Sequence, residues 1–286
     1  QRGDRAKALK LLVELEARAS NDEESLSRLA DYYGRIGENE KSLRVLQRLA
    51  TVGANDPGHL VDLGDRYFQD GNNALATQTW KRILTTITPR SRALAALGDV
   101  YSKHDMPDDA LAAYREAVQL EPANLGYKKS LADALERKND FHGARVIWQE
   151  LADKAKASND KLLAREVRGK IVGLWAREKI LESQVPLLAA AFAGNPPDVE
   201  AGRTLAEAQI HLRRLADAEL TLRKIVQLAP GDADSYLALE RTLVAANKLQ
   251  DAIAVLEKLV AVDPKQALQL YQRMAQYASQ LPGGKG

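Results

Sequence analysis

Cysteine is absent from all 286 residues. Its absence excludes disulfides, thiolate metal ligands and cysteine nucleophiles at once, and leaves both the cytoplasm and a bacterial periplasm or envelope open as compartments. Long hydrophobic runs are also missing. The longest weakly polar stretch, Val185 to Ala193, is far short of the roughly 20 residues that a membrane-spanning helix needs, so no membrane insertion is expected. Charge of one sign is lacking too: 41 Lys and Arg stand against 39 Asp and Glu, a formal net charge of +2. Acids and bases alternate instead of forming the basic domain that nucleic acid attracts. The most basic run, Lys154, Lys156, Lys161, Arg165, Arg168 and Lys170, is interleaved with Asp153, Asp160 and Glu166 and carries no alternating aromatics. It reads as a solvated helix face, and no nucleic acid partner is expected.

Catalytic signatures are equally scarce. His59, His104, His142 and His211 are scattered, without a second histidine or carboxylate at a spacing that metal sites use, so no metal is expected. No glycine-rich phosphate loop occurs, and Gly34, Gly37, Gly71 and Gly98 read as turn or packing residues, so no cofactor is expected. There is no nucleophile elbow, and Ser25, Ser91 and Ser183 fall where helix N-caps are expected. Asp108-Asp109 and Glu23-Glu24 open helices and complement the helix dipole. No residue is assigned to catalysis, and an enzyme is not expected. The chain opens Gln1-Arg2-Gly3-Asp4 with no initiator methionine or leader-like segment, which reads as a fragment of a longer protein.

What the sequence does have is a period. Leu29, Leu63, Leu97 and Leu131 lie 34 apart, and Tyr33, Tyr67, Tyr101 and Leu135 keep the same interval. So do Ala8, Ser42, Ala76, Ala110 and Ala144, and the large apolar series Leu12, Leu46, Trp80, Tyr114 and Trp148. Independent columns in one register are the mark of stacked supersecondary units. Within Ser91 to Asn124, Leu94, Leu97 and Tyr101 form one helical apolar stripe, and Ala110, Tyr114 and Ala117 another. Asp105 to Pro107 supply the turn, and Pro122 the stop. Gly98, Ala110 and Ala117 are small where two backbones would approach closely.

These positions, Leu94, Leu97-Gly98, Tyr101, Ala110, Tyr114, Ala117 and Pro122, resemble the tetratricopeptide repeat. The resemblance implies an all-α, right-handed solenoid of helix-turn-helix repeats. Extending the register gives four repeats over 23–158, a divergent repeat over 165–198 preceded by six extra residues (159–164), two more over 199–266, a capping helix over 267–281 and a flexible tail over 282–286. Residues 1–22 fit only a second helix, with Gly3-Asp4 as its turn. Around the insertion the helices are expected to be longer, with Trp175 and Leu188 facing inward and Pro186 in the first turn of a helix begun at Ser183. That segment is either a drifted spacer or a local widening that admits a partner.

In this family the first helices line a groove for extended peptides or partner helices. Carried over, the groove positions are Asp31 and Arg35; Val61, Asp65, Phe68 and Gln69; Arg92, Asp99 and Lys103; Lys129, Asp133 and Arg137; Lys170 and Arg177; and Arg203, Glu207 and His211. Asp31, Asp65, Asp99 and Asp133 recur every 34 residues and form an expected acidic ladder. Its alternative is a set of i,i+4 pairs, Asp31 with Arg35, Asp99 with Lys103 and Asp133 with Arg137, that only support their helices. The aspartates also argue against a clamp for a C-terminal carboxylate. The expected function is a non-catalytic scaffold that binds a protein as an extended peptide or helix. The alternatives are a recruiting arm of a larger enzyme, such as a glycosyltransferase, or a structural part of a bacterial envelope machine for secretion, export or motility. The residue usage suggests a bacterial source; oligomeric state is left open.

Overall fold

The computed structural model describes residues 2–19 and 21–281, with residues 2–4 described by their backbone alone; the tail expected over 282–286 lies outside the described residues. All regular structure among the described residues is helical, an all-α repeat solenoid whose successive helices pack as hairpins. The chain divides into two compact units, 1–140 and 141–286.

The first unit holds α1 (Arg2–Arg18), α2 (Glu23–Arg35), α3 (Asn39–Val52), α4 (Pro57–Gln69), α5 (Asn73–Lys81), α6 (Ile83–Thr86), α7 (Arg90–Lys103), α8 (Pro107–Leu120) and α9 (Leu125–Arg137). The hairpins are α2 on α3, α4 on α5 and α7 on α8. The second unit holds α10 (Phe141–Ser158), α11 (Lys161–Arg177), α12 (Leu181–Ala193), α13 (Val199–His211), α14 (Leu215–Leu228), α15 (Ala233–Ala245), α16 (Leu249–Val262) and α17 (Ala267–Gln280).

The 34-residue period is written into the backbone as well as the core. Gly37, Gly71, Asp105 and Asn139 all have positive φ (76°, 78°, 54° and 61°), as do Lys179, Arg213 and Asn247 (61°, 61° and 58°). Each sits just past the C-terminus of a hairpin's first helix, where a left-handed residue ends the helix and turns the chain. Asn139 and Lys179 are 40 apart, so the single long interval carries the six extra residues. Those residues go into length: α10, a second helix, has 18 residues and α11, a first helix, has 17, against 14 and 13 or 14 in the corresponding helices of the α2–α3, α7–α8 and α13–α14 repeats.

The apolar columns are the core. Leu29, Leu63, Leu97 and Leu131 are buried, as are Trp80, Tyr114 and Trp148. Gly64 and Gly98 show why the repeat keeps a small residue in its first helix. A Cβ at Gly64 would lie 2.2 Å from Nε1 of Trp80, and one at Gly98 would lie 2.6 Å from Cε1 of Tyr114. The aromatic ring of the second helix therefore rests on the bare backbone of the first.

Five local expectations are corrected. Gly3-Asp4 do not form a turn but lie inside α1. The serines do not cap: Asp22 accepts from the Ser25 amide at 2.9 Å, Ser91 is buried inside α7 with its hydroxyl on Glu121, and Ser183 lies inside α12, donating to the Ile180 carbonyl. The side-chain caps are Asp22, Asp56, Asn72, Asn124, Asp160 and Asp198, each accepting from the second or third amide of its helix, and the serines lie one or more residues too far along to do so. Because α12 begins at Leu181, Pro186 is not in its first turn but inside the helix, where its ring nitrogen leaves the Glu182 carbonyl without the usual i+4 donor.

Candidate partner-binding site

In the first unit the groove positions lie on α2, α4, α7 and α9. Asp31 and Arg35 are exposed and pair with each other at 2.9 Å, as an i,i+4 ion pair would. The next two aspartates behave differently. Lys103 bridges back from α7 to Asp65 on α4 at 2.6 Å, and Nε2 of His104 meets the other Asp65 oxygen at 2.7 Å. Asp99 accepts instead from the Tyr114 hydroxyl at 2.6 Å. The expected Asp99–Lys103 pair is thus replaced by a contact between neighbouring repeats, because the Lys103 side chain finds a less exposed carboxylate there. Phe68 packs on Trp80 and His104, with ring centroids 5.8 and 4.7 Å away, and the Val61 carbonyl accepts from Nε1 of Trp80. Gln69 and Arg92 are exposed, Lys129 and Asp133 are partly buried, and Arg137 donates to the Ser102 carbonyl at 3.4 Å. Burial, then the Asp99 contact, raises the Tyr114 pKa well above the tyrosine norm.

The second unit holds a cavity of about 520 Å³. It opens between α10, α11, α13 and the start of α15, with an apolar floor of Ala152, Ala155, Val167, Ile171, Trp175 and Leu188. Its origin is local. α11 packs closely on α10 and α13 and meets α12, its own hairpin partner, mainly through the side chains of Val172 and Trp175 against Leu181 and Leu188, so the divergent repeat is splayed and its extended helices leave a gap. Trp175 and Leu188, the expected inward positions, are partly buried against Val172, Leu181 and Ala208.

Charged side chains frame this cavity in a connected network. Arg168 donates to Glu200 at 2.5 Å and to Glu207 at 3.0 Å, and Arg203 donates to Glu200 at 2.8 Å and to Asp232 at 2.7 Å. Burial alone would raise the Asp232 pKa, but the Ser235 hydroxyl and the Arg203 guanidinium outweigh it and hold the carboxyl below its ordinary range. Arg165 on α11 reaches Asp234 on α15 at 3.3 Å, past the intervening α13. Of the groove positions assigned to this unit, Arg203 and Glu207 belong to the network. Lys170 and Arg177 instead lie over the rings of Trp148 and Phe141 at 5.2 and 5.4 Å, and His211 is exposed at the end of α13. Arg168 was legible only as part of a basic run, because its acidic partners come from a helix more than thirty residues away.

One further constellation was passed over in the sequence. Asp56 stands three residues before His59 at the start of α4, and the fold brings Glu23 of α2 beside them, with one ligand atom of each within 4.8 Å of the others.

Set beside known families, residues 91–124 match the tetratricopeptide repeat. Over those residues the chain carries a tetratricopeptide repeat. The matched repeat is the α7–α8 hairpin, and the same pattern of core columns and left-handed turns runs through both units. No curated protein matches the sequence. Among solved structures, a chain of Naa15/Naa10 bound to HypK-THB is 17% identical and superposes with a TM-score of 0.62 over 97% of this chain; the likeness is one of fold. This chain spans 48% of that one. Yeast Tom70 (15% identity, 96% of this chain and 59% of that one, TM-score 0.40) and MamA (15%, 66% and 96%, TM-score 0.38) are more distant. A tetratricopeptide-type solenoid is a fold typical of protein–protein interaction scaffolds. Among the described residues no helix is long and apolar enough to cross a membrane.

Proposed function

We propose that this tetratricopeptide-repeat chain is a non-catalytic scaffold that holds a segment of another protein, an extended peptide or a helix, with the cavity of the second unit as its main seat. The observation that carries this reading is the splayed divergent repeat. A gap of about 520 Å³ with an apolar floor and a charged frame has the size and lining of a pocket for side chains of a bound segment. Arg168, Arg203, Glu200 and Asp232 are already fixed by one another, so they present an ordered rim that loses little side-chain entropy on binding.

The remaining groove positions, from Asp31 and Arg35 on α2 to Lys129, Asp133 and Arg137 on α9 and to Lys170, Arg177 and His211 in the second unit, extend the proposed contact surface. Asp31 and Gln69, being exposed, fit direct contacts. Asp65, already engaged by Lys103 and His104, fits a role in fastening two repeats together, and Asp99, engaged by Tyr114, one in closing its own hairpin. The division into four repeats, an insertion with a divergent repeat, two repeats and a cap is likewise our proposal for the organisation.

A displayed peptide library panned on the full chain tests the function. Enriched sequences should share a motif, and their affinity should fall by more than about tenfold when Ala152→Trp fills the cavity floor. No enrichment, or enrichment indifferent to Ala152→Trp, would set the reading aside.

A further inference from the structure

We propose that Glu23, Asp56 and His59 form a binding site for a divalent transition-metal cation, Zn²⁺ foremost, that ties α2 to α4. The three side chains come from the N-terminal ends of the first helices of adjoining hairpins. Glu23 is the first residue of α2, Asp56 is the N-cap of α4 and His59 is the third residue of α4. Nε2 of His59 lies 3.8 Å from a Glu23 carboxylate oxygen and 3.7 Å from an Asp56 oxygen. These separations are longer than the roughly 2.7–2.9 Å of a charge-assisted hydrogen bond. They are slightly longer than the ~3.3 Å between ligands that tetrahedral bonds of about 2.0–2.1 Å produce. The three ligand atoms lie within 4.8 Å of one another, and rotation of the half-exposed carboxylates closes them on an ion.

The histidine is held in the orientation a ligand needs. Its Nδ1 lies 3.3 Å from the Gly53 carbonyl, so a proton on Nδ1 donates to that oxygen and turns the Nε2 lone pair toward the two carboxylates. Metal-bound histidines use the same device to fix tautomer and ring. A lone pair facing two anions is repulsive unless a positive charge stands between them. Gly53 makes room for the arrangement: a Cβ there would lie 2.3 Å from Nδ1 of His59 and 2.9 Å from the Glu23 carboxyl carbon. The remaining Asp56 oxygen accepts from the Gly58 amide at 2.7 Å, which anchors that carboxylate. One imidazole nitrogen with two carboxylates selects a first-row transition ion over Mg²⁺ or Ca²⁺, which prefer all-oxygen shells. Three protein ligands leave a coordination position for water.

The test uses the full chain stripped with chelator, titrated with ZnCl₂ by calorimetry, with CoCl₂ as an optical probe and MgCl₂ as the comparison. One equivalent of Zn²⁺ should bind and raise the melting temperature, and Co²⁺ added to the stripped chain should give the intense visible bands of four-coordinate geometry, which Zn²⁺ then abolishes by displacement. Glu23→Gln, at an exposed position, and His59→Gln should each weaken Zn²⁺ binding by more than about tenfold. Circular dichroism would show that the Glu23→Gln chain is folded. The proposal is overturned if Zn²⁺ does not bind, if Glu23→Gln binds it as tightly as the parent, or if Mg²⁺ raises the melting temperature equally. Those results would leave His59 as a neighbour of two surface acids with no ion between them.

Discussion

Lys103 on α7 pairs with Asp65 on α4, 38 residues away, at 2.6 Å, and not with Asp99 four residues before it. Asp65 is only 15% exposed and also meets His104, which is 11% exposed and stacks on Trp80 with centroids 4.6 Å apart. One carboxylate therefore joins two repeats. Asp65→Asn should cost about 1–3 kcal/mol, the usual penalty when buried partners lose a charged acceptor. Lys103→Ala, which removes a largely exposed ammonium, should cost less than about 1 kcal/mol. Urea denaturation of the two variants checks the order; equal costs would show that Lys103, and not the buried His104 contact, carries the interaction.

The glycines beneath the aromatic rings make a second expectation. Gly64→Ala and Gly98→Ala should each destabilise by about 1–3 kcal/mol, because the new methyl overlaps Trp80 or Tyr114. Gly71→Ala meets nothing within 4 Å but has φ of 78°, so it carries only the left-handed penalty of about 1–2 kcal/mol. Trp80 is fully buried, and its fluorescence should shift in Gly64→Ala and not in Gly71→Ala.

The last helix is latched by a buried charge. Glu240 of α15 has a side chain with 0% exposure, and it meets the Arg273 guanidinium of α17 at 2.5 Å and the Tyr277 hydroxyl. Arg273→Leu alone should cost about 3–5 kcal/mol by leaving that carboxylate without its counter-charge, whereas the double change Glu240→Leu with Arg273→Leu should recover most of the loss. A denaturation double-mutant cycle reads this directly. Hydrogen exchange in the single variant should rise first over α17.

Two groups give opposite pH dependence. Burial, followed by the nearby Asp109 charge, pushes the Tyr101 pKa up to about 12, and its hydroxyl is buried without a hydrogen-bond partner. A raised pKa favours the neutral folded form, so this contribution is present below the unfolded value of about 10 and is lost as pH rises through the folded one. Tyr101→Phe should flatten the alkaline limb of a stability profile and should not destabilise at neutral pH. Asp232, held low by Ser235 and Arg203 against the effect of burial, contributes stability above the unfolded carboxylate value of about 3.9. That contribution is lost as pH falls through its lower folded value. Asp232→Asn should therefore flatten the acid limb.

The sequence by itself determined the helical hairpins, their period and their core. Residues three and four apart form a helix stripe whatever surrounds them, and identical stripes every 34 residues can be buried only by stacking, so Leu97, Trp80 and Tyr114 were readable as core from spacing alone. The extra length of α10 and α11 was readable in the same way. What only the tertiary structure decided was which charges meet and where space is left. Asp65 with Lys103, Arg168 with Glu200, and Glu23 with His59 join residues about 30 to 40 apart. At such separations the pairing depends on how far one repeat is rotated on the next, and no local pattern encodes that rotation. The cavity, too, comes from α11 parting from α12 while it holds α10 and α13. That is a balance between packing surfaces, which each helix's own apolar stripe permits but does not specify.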